Sequence, residues 1–200
     1  MYRNYIKRAL DVMLSFTLCV LLIPLFLIIA LYIKIDSRGP VLFKQTRLGK
    51  DEKPFTILKF RTMRMDAPSD VATHLMPESG RYITRAGRFL RMSSLDELPQ
   101  LINILRGDMS FVGFRPCLWN EFELDDERRR TGAYTVRPGI TGLAQIRGRD
   151  ELEPHEKAKL DGVYARHVGF DYDFRIISKT VFYVFYKEGY REGGNADACV

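Results

Sequence analysis

Two adjacent carboxylates, Asp96 and Glu97, stand directly before a short apolar segment that begins at Pro99. A carboxylate can attack phosphorus as a nucleophile, and it is also a hard oxygen ligand for Mg²⁺, which commonly bridges carboxylates and substrate phosphates. By themselves, acids in this position often only complement the dipole of the helix that follows, a contribution of about 0.3 to 1 kcal/mol. The residues around the pair therefore decide its interpretation.

The surroundings of the pair in sequence are rich in arginine and glycine. A guanidinium fork matches the oxygens of a phosphate group in a bidentate way that an ammonium group does not. Glycine lets the backbone approach a ligand closely. The residues concerned are Arg85, Arg88, Arg91, Arg106, Arg115, Gly107, Gly113, Gly139 and Gly142. The sequence therefore predicts a site for a phosphorylated substrate, with Asp96 and Glu97 as its reactive groups.

The elements that position this pair are predicted from local patterns. Pro99 suits the first position of a helix, so we expect a helix over 99–106 with Gly107 as its C-terminal stop. The residues of this helix that should face the core are Leu101, Ile102 and Leu105. Upstream, β-branched and aromatic residues at 41–43 and 55–60 flank a turn over 48–54 and predict a hairpin. We further predict a loop over 66–80, helix over most of 85–105, a loop over 135–149 and a helix over 151–167.

The 22 residues from Val12 to Ile33 carry no charge and would form a helix about 33 Å long, enough to cross a bilayer core. The run is too long for the apolar region of a signal peptide, and no small-x-small cleavage site follows it. Pro24 in its middle predicts a kink or a break. Because basic residues flank both ends, the positive-inside rule gives no orientation. A kinked span and a re-entrant helix both remain open from these residues.

Composition narrows the possible partners. The chain has 31 Lys and Arg against 25 Asp and Glu, a net charge of +6, which favours anionic lipid headgroups, nucleotides or nucleic acid without choosing among them. The three cysteines and three histidines are widely separated, so neither a disulfide framework nor a zinc site is predicted, and a reducing compartment fits.

Two other charged patterns are weaker. Asp171 and Asp173 form a D-x-D, the metal motif of many glycosyltransferases, but we see no βαβ alternation before it and expect a solvated turn. The run 125–130 (DDERRR) is expected to be a solvated helix face. The aromatic stretch 174–186 fits either an interfacial helix or a buried core helix. Two alternatives thus stay open: a non-catalytic basic membrane adaptor, and a D-x-D glycosyltransferase that releases UDP.

Four ordered segments resemble the bacterial sugar transferase family, the small monotopic phosphoglycosyl transferases. They are 59–63 (KFRTM), 94–100 (SLDELPQ), 107–113 (GDMSFVG) and 137–145 (RPGITGLAQ). The apolar N-terminal run followed by a basic domain also matches, so the resemblance covers most of residues 1–190.

The resemblance implies a definite reaction. Such enzymes transfer a sugar 1-phosphate from a UDP-sugar to undecaprenyl (polyprenol) phosphate at the cytoplasmic face of the membrane, and they release UMP. It implies that Asp96 is the nucleophile of a covalent phosphosugar intermediate, that Glu97 is its partner, and that Mg²⁺, with Asp96 as a ligand, is the cofactor. The residues assigned to substrate phosphates are Lys59, Arg91, Arg115, Arg137 and Arg147. Nucleic acid is not expected as a partner, and the sugar and the oligomeric state are not specified.

The resemblance also implies an architecture: a mainly helical α+β fold in which a re-entrant membrane helix, residues 1–38, is broken at Pro24. A compact cytoplasmic catalytic domain, 39–190, carries a short hairpin and interfacial amphipathic helices, and 191–200 is a disordered tail. Two departures stand out. Ile23 replaces the usual Ser of a Ser-Pro break, and Phe114 replaces a proline before Arg115, which predicts a looser loop or a reshaped pocket there.

Overall fold

The computed structural model describes residues 1–68, 79–118, 120–148 and 152–186. Its helices are α1 (Lys7–Leu21), α2 (Ile23–Asp36), α3 (Arg85–Met92), α4 (Gln100–Arg106), α5 (Phe122–Thr131), α6 (Pro154–Arg166) and α7 (Phe170–Tyr186). Its strands are β1 (Leu42–Leu48) and β2 (Pro54–Phe60), an antiparallel hairpin, and β3 (Ser110–Val112) and β4 (Gly139–Thr141), a parallel pair. The predominance of helix confirms the predicted fold class, and the β1–β2 pair confirms the predicted hairpin. The predicted tail 191–200 and most of the loop 66–80 lie outside the described residues.

The N-terminal apolar run forms two helices that meet at a bend. The segments Tyr2–Leu21 and Ile23–Asp36 differ in direction by 62°. Pro24 lies in the first turn of α2, where its missing N–H is tolerated and its ring prevents one continuous helix. No single described helix is long and apolar enough to cross a membrane, whereas the bent pair together has the required length and composition.

The two halves of the bent pair pack on different parts of the domain. Leu18 and Cys19 of α1, and Leu22 at the bend, pack against the cluster that contains the buried Leu101 and Ile104 of α4. Ile29 and Ile33 of α2 are buried with Phe60 of β2 and Leu90 of α3. Apolar side chains elsewhere on the pair are exposed: Phe16, Val20, Leu21, Ile23, Leu27, Ile28, Leu31 and Ile35. The pair thus belongs to the core on one side and presents an apolar surface on the other.

Helix α4 is rotated relative to the sequence prediction. It follows Pro99 and ends at Gly107, whose φ of 94° is the left-handed conformation expected of a glycine cap. Its buried residues include Leu101, as predicted, and Asn103 and Ile104, while Ile102 and Leu105 are only half-buried, so their predicted inward packing is wrong.

The rotation has a physical cause in the side-chain amide of Asn103. Its Oδ1 accepts from Leu58 N (3.0 Å) and its Nδ2 donates to Thr56 O (2.7 Å), as a neighbouring strand would along β2. A polar residue with both of these bonds can be buried, and a hydrophobic-face pattern does not anticipate it.

Strands β3 and β4 form a parallel pair joined through α5, and β4 lies within the segment 135–149 that the sequence predicted as a loop. The strands are three residues long; Gly139 begins β4, and Gly113 and Gly142 directly follow β3 and β4. A Cβ on Gly113 would collide with the carbonyl oxygen of Arg137, and one on Gly142 with that of Gly113. The close approach that these glycines allow is therefore between two backbone segments, rather than toward a ligand.

The charge run 125–130 is not a fully solvated face, and that prediction is wrong for two of its members. Asp125 and Arg128 are buried because α5 packs against α6. The guanidinium of Arg128 is 2.7 Å from Asp161 of α6 and 4.9 Å from the ring centre of Phe114. Tyr134 donates its hydroxyl to Asp125 (2.5 Å). Opposite charge and a ring face compensate for the burial.

Helix α7 begins at Phe170, earlier than predicted. Ile176 is buried in the largest hydrophobic cluster, with Tyr164 and Phe114. The opposite side exposes Phe170, Phe174, Val181 and Phe182. The two interpretations left open for this segment, core helix and interfacial helix, thus each describe one of its faces.

Candidate active site

The dyad lies in a tight turn between α3 and α4. Ser94 adopts a left-handed conformation with a φ of 55°, which is uncommon for a residue other than glycine and which turns the chain sharply after α3. A single helical turn, Leu95–Glu97, then leads through Pro99 into α4. Leu95 and Leu98 pack against the cluster formed by α2, α3 and β2, so the two residues that flank the dyad are held by the core.

Glu97 is fixed by two cations from different elements. Its Oε1 accepts from Lys59 Nζ of β2 at 2.8 Å and from Arg115, which follows β3, at 3.2 Å. The Glu97 side chain is only 15% exposed. A carboxylate held by two charge-assisted hydrogen bonds in a mostly buried setting is well ordered, and it fixes both cations in turn.

Asp96 contrasts with its neighbour. Its carboxylate makes no hydrogen bond to any described residue. Burial raises its pKa to about 6, and the charge of Glu97 adds to this effect, while Lys59, Arg91 and Arg115 lower it. A half-buried carboxyl group with no hydrogen bond but with three cations nearby is suited to react rather than to hold the fold together.

Arg91 and Arg115 reach the dyad from opposite sides in sequence. Arg91, near the end of α3, donates its Nε to the hydroxyl of Thr62 (2.9 Å), and Thr62 belongs to the 59–63 segment. Arg115 is half-exposed and bridges to Glu97. Together with Lys59, these are the sequence-predicted phosphate ligands that the structure brings around Asp96.

The other two predicted phosphate ligands lie elsewhere. Arg137 donates its Nε to the carbonyl of Gly107 (2.8 Å), at the end of α4 opposite to the dyad. Helix α4, whose seven residues rise by about 10 Å, lies between this carbonyl and the dyad. Arg147 is exposed and has no side-chain hydrogen bond or ion pair to any described residue.

Arg47 of β1 borders the site and was missed by the sequence reasoning. Its guanidinium binds Gln45 Oε1 through two bonds (2.6 and 3.0 Å) and the carbonyl of Pro116 (3.3 Å). Burial lowers the pKa of Arg47 to about 10; the charge of Arg115 also lowers it, whereas that of Glu97 raises it. The sequence did contain a signal for Arg47. Alternate residues of a strand share a face, so residues 43, 45 and 47 lie on one face of the hairpin, and Phe43 pairs with Lys59 on that face.

Phe114 does not loosen the loop before Arg115, contrary to the sequence expectation. Its ring is fully buried, packs edge-on against Tyr134 with centroids 5.2 Å apart, and lies under the guanidinium of Arg128. The departure from proline is thus accommodated in the core, and it anchors the residue next to Arg115.

The D-x-D pair does not form a metal site. Asp173 is buried and accepts from Tyr2 (2.7 Å), Lys7 (2.7 Å) and Tyr164 (2.6 Å), whereas Asp171 is exposed. Both lie in the first turn of α7, so the predicted solvated turn is wrong as well. Within the described residues, no group of three or more His, Cys, Asp or Glu side chains could hold a metal ion.

Comparison with known proteins agrees with this site. Residues 2–187 match the family model described as bacterial sugar transferase. The chain belongs to this family. Membership makes the protein a transferase. The matched residues include both the bent helix pair and the dyad.

Named members of the family give this assignment more detail. The chain is 50% identical over 146 residues to the UDP-glucose:undecaprenyl-phosphate glucose-1-phosphate transferase of Caulobacter vibrioides, covering 71% of this chain and 54% of that protein. It is 42% identical over 184 residues to the Escherichia coli protein of the same name, covering 88% and 39%. The exopolysaccharide production protein PSS of Rhizobium leguminosarum is 40% identical over 190 residues, covering 88% and 93%. The chain thus spans about half or less of the first two relatives and nearly all of the third.

Proposed function

We propose that this protein transfers a sugar 1-phosphate from a UDP-sugar to undecaprenyl phosphate, releases UMP, and passes through a covalent intermediate on Asp96. The observation that carries the proposal is the asymmetry of the dyad: Glu97 is held by two cations, while Asp96 is half-buried near cations without a hydrogen bond. The names of the relatives support the substrate class, and they make UDP-glucose the first donor to test.

The charges of the site suit a nucleoside diphosphate sugar. Lys59, Arg91 and Arg115 surround the dyad, and Arg47 lies beside Glu97 and Arg115. Arg47 also forms an ion pair with Glu121 (3.7 Å), so four cations face three carboxylates, and the remaining positive charge favours binding of a diphosphate. Fixed cations at the transferring phosphoryl group stabilise its charge in the transition state, because they need no reorganisation when the charge develops.

The first half of the reaction forms a bond between Asp96 and phosphorus. A carboxylate oxygen of Asp96 attacks the phosphorus that carries the sugar, and the bond from that phosphorus to the bridging oxygen breaks. The electron pair goes to the nucleotide, which leaves as UMP. The product on the protein is an acyl phosphate between Asp96 and the sugar 1-phosphate.

The second half regenerates Asp96. An oxygen of undecaprenyl phosphate attacks the same phosphorus, the bond to the Asp96 oxygen breaks, and the carboxylate returns to its starting state. The lipid leaves as undecaprenyl diphosphate sugar, and no oxidant or reductant is needed. The raised pKa of Asp96 fits this double role, because a desolvated carboxylate is a better nucleophile than one stabilised by hydrogen bonds.

Mg²⁺ fits the donor set of this site only if the substrate supplies the remaining ligands. Glu97 Oε1 is already bound to two cations, so Asp96 is the carboxylate with free oxygens. One or two carboxylates with substrate phosphates and water are the usual environment of Mg²⁺ in such sites. When bound, the ion would screen the repulsion between the Asp96 carboxylate and the diphosphate.

We further propose that the bent pair α1–α2 is a re-entrant membrane element and that the domain rests on the cytoplasmic face. The 62° bend, the exposed apolar side chains of the pair and the exposed aromatic face of α7 support this arrangement. Because Leu95 and Leu98 pack against α2, the dyad would lie next to the membrane surface, where the lipid phosphate is.

The test is nucleotide release from UDP-glucose and other UDP-sugars by the purified protein with Mg²⁺, with and without undecaprenyl phosphate. Lipid-dependent UMP is the expected product. UDP would indicate a glycosyltransferase, and no nucleotide from any donor would favour the membrane adaptor. Trapping of sugar phosphate on the protein from labelled UDP-sugar alone tests the intermediate, and a label that survives Asp96→Asn would refute the nucleophile.

A further inference from the structure

We propose that Arg8, at the start of the bent helix pair, is a positioning residue for the dyad and acts from the opposite end of α4. This inference rests on the proposed function, since it concerns the same site. In the sequence, Arg8 is only one of the basic residues that flank the apolar run. The structure gives it a contact within the catalytic domain.

Arg8 completes the C-terminal end of α4. Its Nη1 donates to the carbonyl of Ile104 (2.6 Å) and its Nη2 to that of Leu105 (3.0 Å). The last carbonyls of a helix have no partner within the helix, and they also carry the negative end of its dipole. A guanidinium with two parallel donors satisfies both needs at once, from a residue 96 positions earlier in the chain.

The dyad lies at the other end of the same short helix. α4 has seven residues and follows Pro99 directly, so a shift of its C-terminal end is transmitted to Glu97 over about 10 Å. Asn103 fixes α4 sideways on β2, and Leu101 and Ile104 pack against α1. The two bonds from Arg8 are charge-assisted contacts directed at the end of the helix, so they set its position along its axis.

Small displacements of this helix matter because the site depends on cations from other elements. Glu97 meets Lys59 of β2 and Arg115 after β3 at hydrogen-bond distance. A misplacement of about 1 Å breaks such contacts and can cost about a hundredfold in rate. Loss of Arg8 is therefore expected to change the chemistry at Asp96 without touching the substrate.

Arg3 provides a matched control. It carries the same charge at the same end of the helix pair, and it also binds carbonyls, those of Thr135 and Ala165. It makes no hydrogen bond to α4. If the basic residues of this end act only through anionic lipid or membrane orientation, then Arg3 and Arg8 should behave alike.

The experiment compares Arg8→Gln, Arg8→Lys and Arg3→Gln in the full chain, reconstituted in nanodiscs that contain anionic lipid. We expect Arg8→Gln to lower kcat for lipid-dependent UMP release by about 10 to 100-fold while changing the KM for the UDP-sugar much less, whereas Arg3→Gln keeps kcat within about twofold of the unmodified protein. Arg8→Lys keeps the charge but not the paired donors, so it should recover only a minor part of the lost rate.

An activity-independent measurement accompanies it: amide hydrogen exchange of residues 95–106 should be faster in Arg8→Gln than in Arg3→Gln. Equal rates and equal exchange in these two variants, or full recovery of the rate by Arg8→Lys, would overturn the proposal. If the unmodified protein releases no UMP, the proposed function fails, while the exchange comparison still tests the contact between Arg8 and α4.

Discussion

The Nζ atom of Lys59 lies 2.8 Å from Oε1 of Glu97, across 38 positions of sequence. This ion pair joins β2 to the turn between α3 and α4. Arg115, which follows β3, donates to the same oxygen of Glu97. Because Glu97 takes both cations at hydrogen-bond distance, Asp96 next to it keeps its oxygens free. The difference between the two carboxylates, one bound to cations and one without a hydrogen bond, thus follows from the packing of the hairpin against α4.

The pH dependence of the reaction should follow the ionisation of Asp96. Its pKa is raised to about 6, and only the carboxylate is a nucleophile. We expect kcat/KM, which reports the free enzyme, to rise with pH through an acid limb near pH 6 and to level off above pH 7. A rate profile flat from pH 5 to 8 would contradict the role of Asp96. Measurement at several Mg²⁺ concentrations separates the contribution of the metal.

Asp96→Asn should abolish turnover and make the fold more stable at neutral pH. The folded pKa of Asp96 lies above its unfolded value, so the native state binds more protons between about pH 4 and 6, and its stability falls as pH rises through that range. Removing the charge should raise the free energy of unfolding by about 2 kcal/mol above pH 6, and the gain should vanish below pH 4. Denaturant unfolding at pH 7.5 and at pH 4 measures the difference. A variant less stable than the unmodified protein at pH 7.5 would show that the carboxylate has a structural partner.

Glu97→Gln should weaken the reaction without abolishing it. The change removes two ion pairs, so Lys59 and Arg115 lose their anchor, and we expect kcat to fall by about 10 to 100-fold. It also removes a negative charge that raises the pKa of Asp96, so the acid limb of kcat/KM should move to lower pH. Loss of activity as complete as that of Asp96→Asn would instead suggest that Glu97 takes part in the chemistry. A pH profile of both variants with the same donor distinguishes the two roles.

The sequence predicted the parts of the site that depend on neighbouring residues better than the parts that depend on tertiary contacts. The dyad, Pro99 and the Gly107 stop are local patterns, and the structure contains the helix that they predict. Lys59, Arg91 and Arg115 meet the dyad through tertiary packing. Arg91 and Arg115 were among the arginines near the dyad in sequence, but only the resemblance to a family separated them from the others and added Lys59. Arg47 was not predicted because the sequence analysis did not assign the two faces of the hairpin. It therefore did not place Arg47 on the face that carries Lys59.

The errors in the fold share one physical origin. Asn103, Asp125 and Arg128 are polar residues that are buried because each has a partner outside its own helix. A hydrophobic pattern places such residues outside, and no local signal names their partners. The three-residue strands β3 and β4 were missed for a related reason, since their length is below what a period-two pattern can reveal.

The buried pair of Arg128 and Asp161 should be important for stability. Their side chains are 2% and 1% exposed, so removal of one partner leaves an uncompensated charge in the core. We expect Asp161→Leu or Arg128→Met to cost about 3 to 5 kcal/mol in the free energy of unfolding, and the double replacement to cost less than the sum of the two single ones. The exposed Arg130→Gln, which removes an ion pair with Glu127 on the same helix, is the control and should change the free energy by less than about 1 kcal/mol. Equal losses at Arg128 and Arg130 would contradict this account.

The D-x-D pair offers the sharpest separation between two classes of enzyme. In a glycosyltransferase that uses the motif for metal binding, Asp171→Asn and Asp173→Asn should both abolish activity. Here Asp171 is exposed, while Asp173 binds Tyr2, Lys7 and Tyr164 and so connects the N-terminal segment to α6 and α7. We expect Asp171→Asn to keep nearly full rate and stability. Asp173→Asn should lower the melting temperature, because Lys7 would be left only 13% exposed without its counter-ion. UMP release and thermal unfolding of both variants measure these effects, and a loss of activity in Asp171→Asn at unchanged stability would favour the D-x-D chemistry over the Asp96 nucleophile.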